Sequence, residues 1–321
     1  MAYQCASELQ LPLNGSTTIQ RGLSMFIITV LASKGGVGKT TTAANLGGLL
    51  HDIGFRTLLI DGDIQPSLSR YYQLRYAAPF GLTQLVQSGA LTPDCISHCQ
   101  LPPTSYQGKL EKAPKSEGGC LHIVRSDAKD SSLQVWMANR NPVSMQFSFK
   151  NPLKHPAIAS AYDVVIIDTQ GAVGHLQDAA VVAADLLLVP ATPDMISARE
   201  FIANVKALIE RHDSVSSMGL KMPQMKAFLN KSQKTSDSKE MSAMIRESFI
   251  ELSGKITMLD TDVPDATAWK KAASAGVPVH WVDPVKASNT LHSLLWEIVP
   301  SVSEMYASNH PQYLDLNAPS N

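Results

Sequence analysis

The sequence predicts an α/β protein built on a doubly wound, mostly parallel sheet with helices on both faces. Apolar runs alternate with helical patterns along the chain, the order that βαβ units produce. The runs are uninterrupted, as in residues 162–168 (YDVVIID), so those strands are buried on both faces, as parallel sheets require. Acidic and glycine-rich motifs stand after Ala32, at Asp61 and at Asp168, each at the end of such a run. Right-handed crossovers gather strand C-terminal ends along one edge, which is where ligands bind.

The elements follow in order. Residues 25–32 (MFIITVLA) read as the first strand. A glycine-rich turn, 33–40, leads into an amphipathic helix that runs to His51 and is ended by Gly54. Residues 56–61 (RTLLID) are the second strand, and 121–124 (LHIV) a short one. After the 162–168 strand comes an alanine-rich helix, 176–184, then strands at 185–190 (DLLLVP), 226–230 (KAFLN) and 256–259 (ITML), separated by helical stretches. Residues 101–119 are rich in Pro, Gly, Ser and Lys and read as a mobile surface loop within one domain. The expected organisation is an N-terminal extension over 1–24, a single domain over 25–300 and a frayed tail over 301–321.

Composition is ordinary for a globular chain: 321 residues, 44% hydrophobic, 17% charged. The net charge of −1 means that any nucleic-acid binding must come from a local basic patch. No apolar run reaches the ~18 residues of a membrane span. The first 24 residues lack a basic start and an apolar core, so the expectation is a cytoplasmic protein with reduced thiols. Cys95, His98, Cys99, Cys120 and His122 could suggest zinc, but Cys95-x3-Cys99 is not knuckle spacing. Cys95 and Cys120 read better as small buried hydrophobes.

The glycine-rich turn is a phosphate loop. In Lys34-Gly35-Gly36-Val37-Gly38-Lys39-Thr40, the glycines free backbone N–H groups to cradle phosphate oxygens, and the helix starting at Lys39 adds its positive dipole end. Lys39 is placed to reach the β- and γ-phosphates and Thr40 to offer a hydroxyl to Mg²⁺, with Thr41 beside it. The ordinary G-x4-G-K-[ST] pattern fails, because residue 33 is serine. What stands is K-G-G-x-G-K-T, with a second lysine five residues before Lys39. This resembles the deviant Walker A loop of the ParA/MinD superfamily, and within it the ParA/Soj-type partition ATPases. The resemblance covers about residues 25–300. It implies an ATPase that dimerises face to face on ATP, with Lys34 crossing the interface to the partner's nucleotide, an effect of the class supplied by an arginine finger.

Further residues carry the resemblance. Asp61-Gly62-Asp63-Ile64-Gln65 is similar to the family's D-x-D-P-Q switch, with Ile64 at the proline. It implies that Asp61 lies near the Thr40–Mg²⁺ site and that Asp63 orients or deprotonates the attacking water. Asp168 ends its strand at the Walker B position, holding Mg²⁺ directly or through water. It is followed by Thr169-Gln170-Gly171 where the family has a proline pair; D-x-x-G spacing lets the Gly171 N–H meet a γ-phosphate. D-T-Q-G also resembles partition ATPases of integrative conjugative elements.

D-x-x-G raises a rival, a GTPase. Guanine is read by N-K-x-D, and here Asn230-Lys231-Ser232-Gln233 lacks the acid, so ATP is favoured, with Asn230 on the adenine edge. Other branches are disfavoured: no cysteine follows Cys120 for an iron–sulfur cluster, no basic amphipathic helix ends the chain, the tail has no tyrosine cluster, and the P-loop is single. DNA or cargo partition remains, with a ParB-like stimulating protein as partner and a nucleoid-associated location. Six basic residues against Asp237 and Glu240 leave a charge of +4 between residues 221 and 246. From it Lys231, Lys234, Lys239 and Arg246, with Lys270 and Lys271 further on, are the candidate contacts for non-specific DNA binding. An ATP-switched module that positions a protein cargo without DNA is the alternative.

Overall fold

The computed structural model describes residues 24–32, 34–101, 119–128, 131–171, 174–193, 203, 205–207, 210, 222–250 and 256–302. All but Ser24 of the expected extension at 1–24, most of the loop at 101–119, and the tail beyond residue 302 lie outside the described residues.

The strands are β1 (Phe26–Val30), β2 (Arg56–Gly62), β3 (Leu74–Tyr76), β4 (Ser97–Cys99), β5 (Cys120–Val124), β6 (Val164–Thr169), β7 (Leu186–Ala191), β8 (Gln224–Ser232), β9 (Ile256–Met258) and β10 (Val263–Pro264). They form one sheet in the order β10-β8-β7-β1-β6-β2-β5-β4-β3, with β9 also paired to β8. Pairings from β10 through β5 are parallel; β4 and β3 add an antiparallel edge. Each strand expected from the sequence is present within two residues of its expected limits. β3, β4 and β10 were not expected, being too short to show an apolar period.

Strand alternation sorts the core into two layers. Ile28, Val164 and Ile166 join Leu46, Leu49 and Leu50 of α1 (Lys39–Asp52) on one face. Leu291, Leu294 and Leu295 of α11 (Lys286–Ile298) pack there too, beside α9 (Thr267–Ala275) and α10 (Val279–Val282). Ile27, Val165 and Ile167 face the other way. There they meet α2 (Leu82–Ser88), α3 (Ser132–Ala138), the short helices α4 (Pro142–Met145), α5 (Lys150–Lys154) and α6 (Pro156–Ala161), and α7 (His175–Ala183). Helix α8 (Ser236–Ile250) packs near β8 and β9. Each fully buried Leu or Ile contributes roughly 1.5–3 kcal/mol by leaving water. Cys95 and Cys120 sit inside the second layer as the apolar residues they were expected to be.

Helix α1 ends as expected, with Gly54 at φ 96° just beyond it. Register then places the functional ends. Asp168 pairs with Val30 on one side and Asp61 on the other, so both acids emerge at one edge beside the loop that follows β1.

Candidate nucleotide site

The loop between β1 and α1 is held by its glycines. Gly38 lies at φ 93°, a left-handed conformation that L side chains rarely adopt, and a Cβ there would stand 2.2 Å from Asn230 Nδ2. No side chain caps the N-terminus of α1, and no acid stands in its first turn. Its N–H groups therefore keep their positive end for an anion.

Lys39 begins the helix and is 8% exposed, its Nζ 3.4 Å from Lys34 O. Burial lowers its pKa, and the nearby Asp168 and Asp63 oppose that effect. Lys34 is exposed and lines an open cleft of about 820 Å³ with Gly35, Gly36, Lys231, Asp237 and Asp265.

The carboxylates converge. Thr40 Oγ1 donates to Asp168 Oδ2 at 2.6 Å. Asp168 is 1% exposed, and its Oδ1 has no hydrogen-bond partner. Burial pushes its pKa up to about 8, with Asp61 and Asp63 adding to the rise and Thr40 and Lys39 resisting it. Asp61, fully buried, is raised to about 6, again chiefly by burial. Two buried acids with an orphaned oxygen, beside a threonine hydroxyl and a lysine, are a donor set suited to a hard dication. The residues present fit Mg²⁺ held by Thr40, Asp168 and, at the next remove, Asp61. Asp63 is half-buried near Lys39, and its Oδ1 accepts from the Gln65 N–H at 2.9 Å.

Gly171 reaches the same place from β6. A Cβ on it would stand 3.4 Å from Gly35 N and 3.6 Å from Lys39 Nζ, ordinary contact distances that place this backbone beside the loop.

Asn230 bonds the loop. Its Nδ2 donates to Val37 O at 2.7 Å, so the donor end of the amide holds the loop, and its Oδ1 accepts from the N–H of the next residue, Lys231, at 3.1 Å. A smaller cavity of about 180 Å³ opens beside it, bordered by Gly38, Thr41, Asp265, Trp269 and Lys270.

Several cations of the basic patch have partners within the chain. Lys231, at φ 59°, donates from Nζ to Gly36 O at 2.5 Å, joining Asn230 as a clasp on the loop. Arg246 donates to Leu259 O and Asp260 O and pairs with Asp262 at 2.8 Å. Lys226, counted in the +4, is 8% exposed and caps α11 through Glu297 O and Ile298 O. Lys270 borders the smaller cavity, 3.8 Å from Asp265. A charge count along the sequence cannot see that these cations have partners inside the chain. Lys234, Lys239 and Lys271 are exposed.

Sequence reasoning missed the support beneath Asp61. Ser69 N and Oγ donate to Asp61 Oδ2 at 2.8 and 2.6 Å, and Ser126 N donates to Ser69 Oγ. Ser69 lies eight residues from Asp61 in a 3₁₀ turn, and no motif marks it. No group of three or more metal-ligating side chains gathers around Cys95, His98 or Cys120 among the described residues; His98 instead stacks on His122, ring centroids 4.2 Å apart.

A profile of the AAA_31 family, described as an AAA domain, matches residues 25–218, more than half of the chain. The chain belongs to the AAA_31 family. The ParA/MinD superfamily membership expected from the deviant loop agrees with its relatives. The chain is 29% identical over 201 residues to a putative replication protein A of Rhizobium rhizogenes, covering 61% of this chain and 48% of that one. It is 28% identical over 201 residues to a probable plasmid-partitioning protein ParA of Thermus thermophilus, covering 61% and 54%. The chain thus spans about half the length of these relatives. Among solved structures, the ATP complex of a McdA variant from Cyanothece superposes with a TM-score of 0.66 at 21% identity, over 85% of this chain and 96% of that one. That likeness shows the fold: a P-loop sheet with helices on both faces. No helix among the described residues of this AAA_31 chain is long and apolar enough to cross a membrane.

Proposed function

We propose that this chain is a dimerising ATPase of the ParA type that partitions or positions DNA, binding DNA non-specifically in its ATP state and letting go after partner-stimulated hydrolysis. The observation that carries the reading is the convergence of Thr40, Asp168, Asp61 and Lys39 on one glycine loop, with Thr40 already bonded to Asp168.

The loop N–H groups and Lys39 bind the β- and γ-phosphates of ATP. Mg²⁺, when bound, offsets the charge of the phosphate oxygens and of Asp168. Asp63, its Oδ1 steadied by the Gln65 N–H, orients or deprotonates the attacking water. Gly171 offers its N–H to the γ-phosphate. Two chains close face to face across the open cleft, each Lys34 reaching the other's phosphates. After hydrolysis Lys34 and Gly171 lose their contact, the interface opens, and DNA is released. A ParB-like protein on the cargo site is the expected stimulator, and the dimer's place is on the nucleoid.

A second reading is supported by a specific observation. Lys226 is buried and Arg246 is paired with Asp262, which leaves less positive surface for a polyanion than the sequence suggested. An ATP-switched module that positions a protein cargo without DNA fits that reduced surface. ATPase rate and DNA retention, measured with Mg-ATP at rising salt, separate the two. ATP-dependent binding that weakens steeply with salt supports the DNA reading. Turnover without DNA binding at any salt supports the cargo reading. Tighter binding of GTP than ATP would overturn both in favour of a GTPase.

A further inference from the structure

Gln170 stands between the Asp168-Thr169 end of β6 and Gly171, and it is 5% exposed. A side-chain amide that deep needs a partner. Its Oε1 accepts from Nε2 of Gln134, 36 residues earlier, at 2.7 Å. Gln134 lies on α3, a helix pinned on either side of it by the buried Leu133 and Met137 and packed against α7. The other end of the Gln170 amide lies along Gly174, where a Cβ would stand 3.0 Å from Nε2. Thr169 is fixed separately, its Oγ1 donating to Val30 O at 3.0 Å. The peptide that leads to Gly171 is therefore tied to β1 on one side and to α3 on the other. Gly171 in turn lies beside the loop, where a Cβ on it would stand 3.4 Å from Gly35 N and 3.6 Å from Lys39 Nζ. Helix α3 reaches the end of β6 through this amide pair.

We propose that Gln134 is a positioning residue: through its hydrogen bond to Gln170 it holds the Gly171 backbone against the phosphate loop, and so sets how well the chain tells a nucleoside triphosphate from a diphosphate. This rests on the reading of Gly171 as a γ-phosphate contact. A diphosphate ends before the γ position, so loss of the Gln134 tie weakens triphosphate binding and leaves diphosphate binding alone.

The test uses the full chain with Mg²⁺ and measures Kd for ADP and for a non-hydrolysable ATP analogue by titration calorimetry. Gln134→Met keeps length and helix propensity and removes only the polar end. It is expected to weaken the analogue about fivefold, the worth of one neutral hydrogen bond, with ADP unchanged. Gln134→Glu is expected to restore wild-type affinity, because the Gln170 amide can turn over and donate to the carboxylate. Equal weakening toward both nucleotides, no weakening in Gln134→Met, or Gln134→Glu behaving like Gln134→Met would each overturn the proposal. A wild-type chain that binds neither nucleotide sinks the phosphate-loop reading itself and this inference with it, a result distinct from the other three.

Discussion

Asp168 offers a perturbation whose sign differs between the empty and the loaded site. Its carboxyl is 1% exposed, keeps one oxygen without a partner, and pairs in register with the buried Asp61. Burial raises its pKa from 3.8 to about 8. A group raised in this way binds a proton in the folded state while the unfolded chain has already released it. The stability it removes is therefore nil below pH 4 and grows as pH climbs toward 8. At pH 7 the full shift corresponds to about 4 kcal/mol, at 1.36 kcal/mol per unit. Halving that for relaxation and for the coupling to Asp61 leaves about 2 kcal/mol. Asp168→Asn keeps an acceptor for the Thr40 hydroxyl and removes the titrating group. The nucleotide-free variant should melt roughly 4–8 °C above wild type at pH 7, at 2–4 °C per kcal/mol for a domain of this size. The gain should vanish near pH 4. The same variant should lose the further rise that Mg²⁺ with ATP gives wild type. Differential scanning fluorimetry with and without Mg-ATP, at pH 4, 5.5 and 7, reads all of these. An Asp168→Asn chain that melts below wild type when empty, or keeps the Mg²⁺-dependent rise, refutes the reasoning.

Other expectations concern stability and turnover. Arg56 is 8% exposed and bonds Asp163 through Nη2 at 2.6 Å and Ser160 O through Nη1 at 2.6 Å. Arg56→Ala strands a largely buried carboxylate and should cost about 3–5 kcal/mol in urea unfolding; a loss under 1 kcal/mol would show the pair to be solvated. Burial lowers His122 to about 3 and His292 to about 4, each from 6.5. Both contribute stability above pH 6.5 that is lost as pH falls toward those values, about 2 kcal/mol each at pH 5. His122→Gln, which keeps a hydrogen bond to the Tyr162 hydroxyl, should flatten the fall in melting temperature between pH 7 and 5; a profile parallel to wild type contradicts this. Asp63→Ala should bind ATP normally yet hydrolyse it at least about a hundredfold more slowly, as loss of a general base does. Normal single-turnover rates would remove Asp63 from that role.

The parts of the fold that the sequence announces are those whose physics is local. Strands buried on both faces read as apolar runs, and β1, β2, β6 and β7 appear within two residues of their expected limits. The phosphate loop and the acids at Asp61 and Asp168 are legible because a glycine turn or a lone acid after a buried strand has few other uses. What was not legible depends on pairing across the chain. The antiparallel edge at β3 and β4 is too short to show a period. Ser69 becomes the support of Asp61 only once a 3₁₀ turn brings it back. Arg246 and Lys226 looked like surface charge because their partners, Asp262 and the carbonyls ending α11, stand 16 to 72 residues away. Asn230 stands at the end of its strand as expected, and its bond to Val37 O could not be read from the sequence, because the two residues are 193 apart.

The central claim is that two cations meet one triphosphate, Lys39 from its own chain and Lys34 from a second copy. Multi-angle light scattering of wild type and Lys34→Ala, with Mg²⁺ and a non-hydrolysable ATP analogue at saturating concentration, addresses it directly. The expected result is a dimer for wild type and a monomer for Lys34→Ala that still binds the analogue. Dimers of equal strength in both proteins, or a wild type that stays monomeric with the site filled, would contradict it.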